Sequence, residues 1–78
     1  MVKRRAIRGD LIDAHIIREA TKLIWERGAL GLKMDTIAGR SNLSRATLYY
    51  RFGSRSQLIL FTRHSIVVEL LLHANRAI

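Results

Sequence analysis

The feature that most constrains this chain is the placement of its helix breaks. Proline is absent and glycines are few, so the breaks come from glycines and from one short polar segment. Between apolar stretches of helical spacing stand Gly28, Gly31, Gly53 and the segment 41–44. These breaks divide the chain into four helical segments and predict an all-α fold.

The first predicted helix runs from about Asp10 to Arg27. Its apolar residues recur at helical spacing and form one stripe, consisting of Ile16, Ile17, Ala20, Leu23 and Ile24. Asp10 and Asp13 suit the positive end of the helix dipole, and Gly28 suits the left-handed position after the last residue. Residues 1–9 are predicted to form a basic flexible arm.

Two short helices come next, at about 34–41 and 45–52, joined by a tight turn at residues 42–44. Ser44 can cap the later helix, because its hydroxyl can accept a hydrogen bond from an otherwise unpaired amide. Two short helices around such a turn are typical of a helix-turn-helix unit, in which the second helix is held out toward the DNA major groove.

The fourth predicted helix is longer and begins with a capping box, Ser54 to Gln57, just after Gly53. It continues to about Arg76. The chain therefore divides into the arm 1–9, a three-helix, homeodomain-like helix-turn-helix core at 10–53, and a fourth helix at 54–78.

The outward face of the third helix indicates contact with DNA. Successive residues of an α-helix are rotated by about 100° around its axis. If Leu48 points to the core, the side chains of Ala46, Thr47 and Tyr50 point outward. Small and aromatic residues suit a solvated surface poorly but permit close approach to bases. The alternative is that the tyrosines pack on a neighbouring helix.

The charge of the chain points to an acidic partner, either nucleic acid or an anionic membrane surface. There are 14 Lys and Arg against 6 Asp and Glu, a net charge of +8. No acidic residue lies between Asp35 and Glu69, whereas five arginines do, namely Arg40, Arg45, Arg51, Arg55 and Arg63. This stretch predicts one side kept clear for phosphates, the alternative being a merely solubilising surface.

Side-chain chemistry assigns contacts on that side. Arg45 can offer a bidentate fork to guanine, and Ala46 and Thr47 can contact a thymine methyl group. The remaining candidates suit phosphate contacts that fix the register on DNA, and they are Tyr49, Tyr50, Arg51 and Arg55.

These motifs together resemble the N-terminal domain of TetR-family regulators. The resemblance covers about residues 16–58. It depends on the segment 16–24, Gly28, Ile37-Ala38, Leu43-Ser44, the run Thr47-Leu48-Tyr49-Tyr50-Arg51-Phe52, Ser54-Arg55 and Leu58, which occur in the order and spacing of that family.

The resemblance implies a homodimer on a palindromic operator in double-stranded DNA, with the third helix at the bases. It places at the bases Arg45, Ala46 and Tyr49. It places at the DNA backbone Lys33, Ser44, Thr47, Tyr50, Arg51 and Arg55. Further minor-groove or phosphate contacts are implied for the N-terminal arm residues Lys3, Arg4, Arg5 and Arg8, for which the alternative is a solvated tail.

Three features depart from the family pattern. Lys33 replaces a threonine that caps the second helix, so it can reach a phosphate but cannot cap. Ser41-Asn42 replaces Ala-Gly before the turn, where asparagine tolerates the left-handed conformation at some cost. Asp35 puts a carboxylate near the DNA side, where it can favour the helix dipole, accept from a cytosine amino group, or weaken binding.

Length and apolar surface also differ from the family expectation. A C-terminal domain that binds an inducer and dimerises is expected where this chain stops, so an inducer is expected only if such a domain exists. The fourth helix is apolar around most of its circumference through Ile66, Val67, Val68, Leu70, Leu71 and Leu72. Either the chain is an excised domain or this helix self-associates.

Other classes of protein are less consistent with the sequence. No cysteine is present, no secretory signal is found, and the uninterrupted apolar runs are too short for a membrane span, so a cytoplasmic, nucleoid-associated protein is expected. The three histidines lack a carboxylate pair or nucleophile, so no enzyme activity, cofactor or metal is expected. A basic amphipathic membrane-surface protein and a protein-interaction adaptor that uses the fourth helix stay as alternatives.

Overall fold

The computed structural model describes the backbone of residues 2–77 and the side chains of residues 9–74. It contains four helices, α1 (Val2–Arg27), α2 (Met34–Ser41), α3 (Arg45–Phe52) and α4 (Arg55–Ala77), with one 3₁₀ turn (Ala29–Gly31) after α1. No strand occurs within residues 2–77. The all-α helix-turn-helix fold is confirmed, and α2 and α3 have the predicted bounds.

The start of α1 differs from the prediction. The helix begins at Val2 rather than near Asp10, so Asp10 and Asp13 lie within it and not at its positive end. The physical reason is that Lys, Arg and Ala at the start of the chain favour helix, and no proline interrupts them. The side chains of the proposed arm, Lys3, Arg4, Arg5 and Arg8, lie outside the described residues.

Gly28 ends α1 in a conformation other than the expected left-handed one. Its φ of 77° is positive, but its ψ of 167° is extended, a combination that is essentially restricted to glycine. Its amide still donates to the carbonyl of Ile24 at 2.7 Å. The chain therefore leaves α1 abruptly and enters the 3₁₀ turn.

The core lies where all four helices meet. The fully buried large side chains that fill it are Ile16, Leu23, Leu32, Ile37, Leu48, Leu58 and Thr62. Thr62 is accommodated there because its hydroxyl donates to the Leu58 carbonyl at 2.8 Å, within the same helix. Phe52 joins α3 to α4 through an edge-to-face contact with Phe61, with ring centroids 5.7 Å apart.

The second half of α4 lies outside this core. Its large apolar side chains are exposed, including Val67, Val68, Leu70, Leu71 and Leu72. By length and composition alone, the 20 residues Arg55–Ala74 could also cross a membrane, although no long uninterrupted apolar run is present. This exposed face matches the expectation that α4 lacks a partner within these residues.

Candidate nucleic-acid interface

The turn between α2 and α3 is fixed by backbone hydrogen bonds. Asn42 takes the left-handed conformation, with φ of 57° and ψ of 43°, as the sequence predicts. The amide of Leu43 then donates to the Ala38 carbonyl at 2.9 Å, and the Leu43 side chain packs against the core. These bonds satisfy the end of α2 and set the position at which α3 can begin.

Ser44 caps α3 in the predicted manner. Its Oγ accepts from the amide of Thr47 at 3.1 Å and donates to Thr47 Oγ1 at 2.9 Å. The Leu48 amide donates to the Ser44 carbonyl, so the first turn of α3 forms directly from the cap. Both hydroxyls are therefore fixed at the exposed N-terminal end of α3.

The outer face of α3 is open to solvent. Leu48 and Phe52 are buried, whereas Ala46, Thr47 and Tyr49 are exposed and Tyr50 is 88% exposed. The Tyr50 side chain therefore does not pack on a neighbouring helix within the described part of the chain, whereas Tyr49 is 36% exposed. A two-turn helix with one sealed face and one face of small and aromatic residues can approach a groove closely.

Arg45 stands at the N-terminal end of this face and contacts two neighbours. Its Nε lies 2.8 Å from Oδ1 of Asp35 in the first turn of α2, and its guanidinium carbon lies 5.8 Å from the Tyr49 ring centroid. Tyr49 and the Asp35 charge raise the pKa of Arg45. Asp35 is thus paired with the arginine that the sequence assigns to a base.

Arg51 is directed into the protein. Its Nε donates to the Asp13 carboxylate, and its Nη2 donates to the Gly9 carbonyl at 2.9 Å, so the end of α3 is tied to α1. The hydrogen bond with Asp13 raises the pKa of Arg51. The structure thus gives Arg51 an internal role that the sequence did not indicate, and its expected phosphate contact has fewer free donors.

Arg55 is also engaged within the protein. Its Nε donates to the Leu32 carbonyl at 2.6 Å, and its Nη2 donates to the carbonyls of Ala29 and Leu30 at 2.9 and 3.2 Å. The side chain therefore holds the 3₁₀ turn against the start of α4. The sequence suggested a DNA phosphate as the partner of Arg55. Its partners within the protein are 23 to 26 residues away along the chain, so no local sequence pattern indicates them.

Lys33 and Arg40 occupy the two ends of α2. Lys33 precedes the helix, is exposed, and makes no side-chain cap, as expected from its lack of an acceptor. Arg40 forms a bidentate pair with Glu26 of α1, through Nη1 to Oε2 at 3.0 Å and Nη2 to Oε1 at 2.9 Å. Lys33 can therefore reach outward, while Arg40 fixes α2 against α1.

The stretch between Asp35 and Glu69 contains no acidic residue, but in the structure acidic residues from outside this stretch lie next to its arginines. Three of its five arginines are paired with carboxylates from α1 or α2, and the three pairs are Arg40 with Glu26, Arg45 with Asp35, and Arg51 with Asp13. The inference of a continuous phosphate-facing charge surface is therefore corrected. The positive side of the molecule is narrower than the sequence pattern indicates.

The described residues contain no group of three or more His, Cys, Asp or Glu that could hold a metal ion. His64 and His73 are exposed on α4, and His73 lies 3.7 Å from Glu69 of the same helix. The candidate site in this part of the molecule is therefore the exposed side of α3 with the first turn of α2.

Residues 16–60 match the sequence model of the bacterial regulatory proteins, tetR family, over more than half of the chain. The match extends from the buried stripe of α1, through α2 and α3, into the start of α4. No curated protein and no solved structure matches the chain.

Proposed function

The chain belongs to the tetR family of bacterial regulatory proteins, and on that premise we propose that it represses transcription by binding a palindromic operator as a homodimer. Regulators of this family are DNA-binding proteins and generally not enzymes. We accordingly propose a cytoplasmic protein without catalytic activity. The observation that carries the proposal is the exposed face of α3, on which Ala46, Thr47 and Tyr50 point away from a sealed core.

The proposal assigns DNA contacts to the recognition surface, which consists of Arg45, Ala46, Thr47, Tyr49 and Tyr50. Within it, Arg45 contacts guanine, Ala46 allows close approach, and Tyr49 lies against a base. Thr47 and Tyr50 contact the DNA backbone, together with Ser44 and Lys33 at the two helix starts. Phosphate contacts commonly fix the register in which such a surface docks.

Arg51 and Arg55 receive a different role in this proposal. Both donate from Nε and from Nη2 to carboxylate or carbonyl oxygens within the protein. We therefore assign them chiefly to holding α3 and the 3₁₀ turn in place. A contact with phosphate, which the family resemblance implies, would use only the guanidinium N–H groups that remain.

The exposed apolar face of α4 supports the dimer. Leu70, Leu71 and Leu72 are each about half exposed or more, and a face of this kind is usually covered by another helix. We propose that α4 packs in the dimer, directly or through further helices. A small-molecule inducer belongs to the proposal only where such further helices form a binding domain.

A membrane-surface protein is the second candidate, because the stretch Arg55–Ala74 is long and apolar enough to enter a bilayer. Its first part, however, packs in the core through Leu58 and Thr62. Binding to anionic vesicles that persists at high salt would favour this candidate, whereas duplex binding that weakens steeply with salt favours the regulator. An adaptor would form a partner complex without binding DNA.

Selection of bound duplexes from a random pool tests the proposal directly. We expect an enriched palindromic motif whose half-sites are about one helical turn apart or a multiple of it, because two copies of α3 must reach successive major grooves. A non-palindromic motif would contradict the dimer. No enrichment at all would contradict sequence-specific binding.

A further inference from the structure

The pair formed by Asp35 and Arg45 is the most exposed of the three arginine–carboxylate pairs. The two side chains are 70% and 62% exposed, and their contact is 2.8 Å. The pairs of Arg40 and Arg51 instead join α2 and α3 to α1 and are more buried. An exposed ion pair adds little to folding stability, so the contact with Arg45 adds little to the favourable interaction of Asp35 with the dipole of α2.

We propose that Asp35 is a specificity-determining residue that acts through Arg45, by holding its Nε so that the two terminal nitrogens face a guanine. This inference rests on the proposed function. Asp35 itself is a positioning residue and needs no contact with DNA.

The geometry of the guanidinium supports this role. A guanidinium is planar and carries five N–H donors in a fixed arrangement. With Nε in ion-pair contact with Asp35, Nη1 and Nη2 form a terminal pair that can donate to O6 and N7 of guanine together. The Tyr49 ring, 5.8 Å from the guanidinium carbon, restrains the group further. A long side chain is thereby ordered before it meets DNA, which reduces the entropy that binding must offset.

The charge of Asp35 supplies the second half of the argument. A carboxylate beside the groove repels phosphate on any duplex, so it weakens binding regardless of sequence. On a duplex with the matching guanine, the oriented arginine compensates for this repulsion. Specificity is a difference between affinities, and a group that weakens binding to wrong sequences increases that difference.

The experiment compares the wild type with Asp35→Asn in the full chain, and Glu69→Gln is the matched control. The control removes one carboxylate from α4 and so reproduces the change in net charge at another site. Random-pool selection with the wild type and with Arg45→Ala identifies the base pair that Arg45 contacts. Affinities are then measured for three duplexes, namely the operator, the operator changed at that base pair, and a random sequence.

We expect Asp35→Asn to raise affinity for the random duplex and to lower the operator-to-changed-operator ratio by about fivefold or more, as contacting residues commonly couple. Glu69→Gln should leave the ratio unchanged. In the Arg45→Ala background, Asp35→Asn should not alter the ratio, because Asp35 acts through Arg45. If circular dichroism shows that Asp35→Asn has lost helix content, Asp35→Ser is used for the same comparison.

Two results would overturn the inference while leaving the proposed function intact. One is an equal change in affinity for all three duplexes, which would make Asp35 only a general repulsive charge. The other is the same loss of ratio with and without Arg45. If the wild type selects no motif, the proposed function itself fails, and the inference fails with it.

Discussion

The side chain of Arg51 decides how α3 is attached to the first helix. It donates to the Asp13 carboxylate and to the Gly9 carbonyl, and it is 23% exposed. Ser44 and Ser54 could be assigned as caps from sequence, because each accepts from an amide three residues later. The partners of Arg51 lie 38 and 42 residues away, so no local spacing could reveal them.

Arg51→Ala should lower the free energy of unfolding by about 1–3 kcal/mol, because the Asp13 carboxylate and the Gly9 carbonyl lose a charged donor in a partly buried place. Urea denaturation followed by circular dichroism measures the change. Arg63→Ala removes an exposed arginine of α4 and should stay within about 0.5 kcal/mol of the wild type. Equal stability of the two variants would contradict the structural role of Arg51.

Glu26 makes part of the stability dependent on pH. The hydrogen bond from Arg40 lowers the pKa of the Glu26 carboxyl. The contribution of the Glu26–Arg40 pair to folding stability is therefore present above the ordinary glutamate pKa. It is lost as the pH falls through the lowered pKa of Glu26. Glu26→Gln should flatten the acid side of the stability profile, and Arg40→Ala should remove the same part. An acid profile of Glu26→Gln identical to that of the wild type would show that the pair contributes nothing.

At the scale of helices, α3 is defined by two faces with opposite roles. Its bounds and its outward residues could be predicted because the cap, the turn and the apolar spacing all lie within a dozen residues. The start of α1 could not, since a basic segment without a break suits both an arm and a helix. The position of α3 could therefore be predicted from nearby residues in the sequence. The contacts of Arg51 that hold α3 against α1 could be found only from the structure.

Tyr50→Ala should weaken duplex binding with little change in the free energy of unfolding, because Tyr50 is 88% exposed. Phe52→Ala, on the opposite face, should cost about 3–5 kcal/mol of stability as a large buried aromatic. Thermal unfolding and duplex titration of both variants give the comparison. Marked unfolding of Tyr50→Ala would place Tyr50 in the core.

At the scale of the whole molecule, the net charge overstates the positive charge that is free to meet DNA. The net charge is +8, yet carboxylates from α1 and α2 pair with three of the five arginines in the acid-free stretch. The sequence could indicate the excess of positive charge but not its pairing in space. Fewer phosphate contacts per chain are therefore expected than a count of basic residues suggests.

Lys33→Gln should weaken binding to all duplexes by a similar factor and reduce the salt dependence by about one unit of slope per bound chain, because each neutralised phosphate releases counterions. Titrations at several salt concentrations measure this slope. Lys22→Gln is the matched control, since Lys22 lies on α1 and pairs with Glu19 of the same helix. A slope unchanged by Lys33→Gln would remove Lys33 from the phosphate contacts.

The contact between Arg51 and the Gly9 carbonyl also limits which residue can stand at position 9. A Cβ there would lie 2.9 Å from Nη2 of Arg51. Alanine at a helical glycine normally gains roughly 1 kcal/mol, but here that gain is opposed by displacement of a guanidinium that Asp13 also holds. Helix propensity alone would therefore overestimate the stability that Gly9→Ala adds.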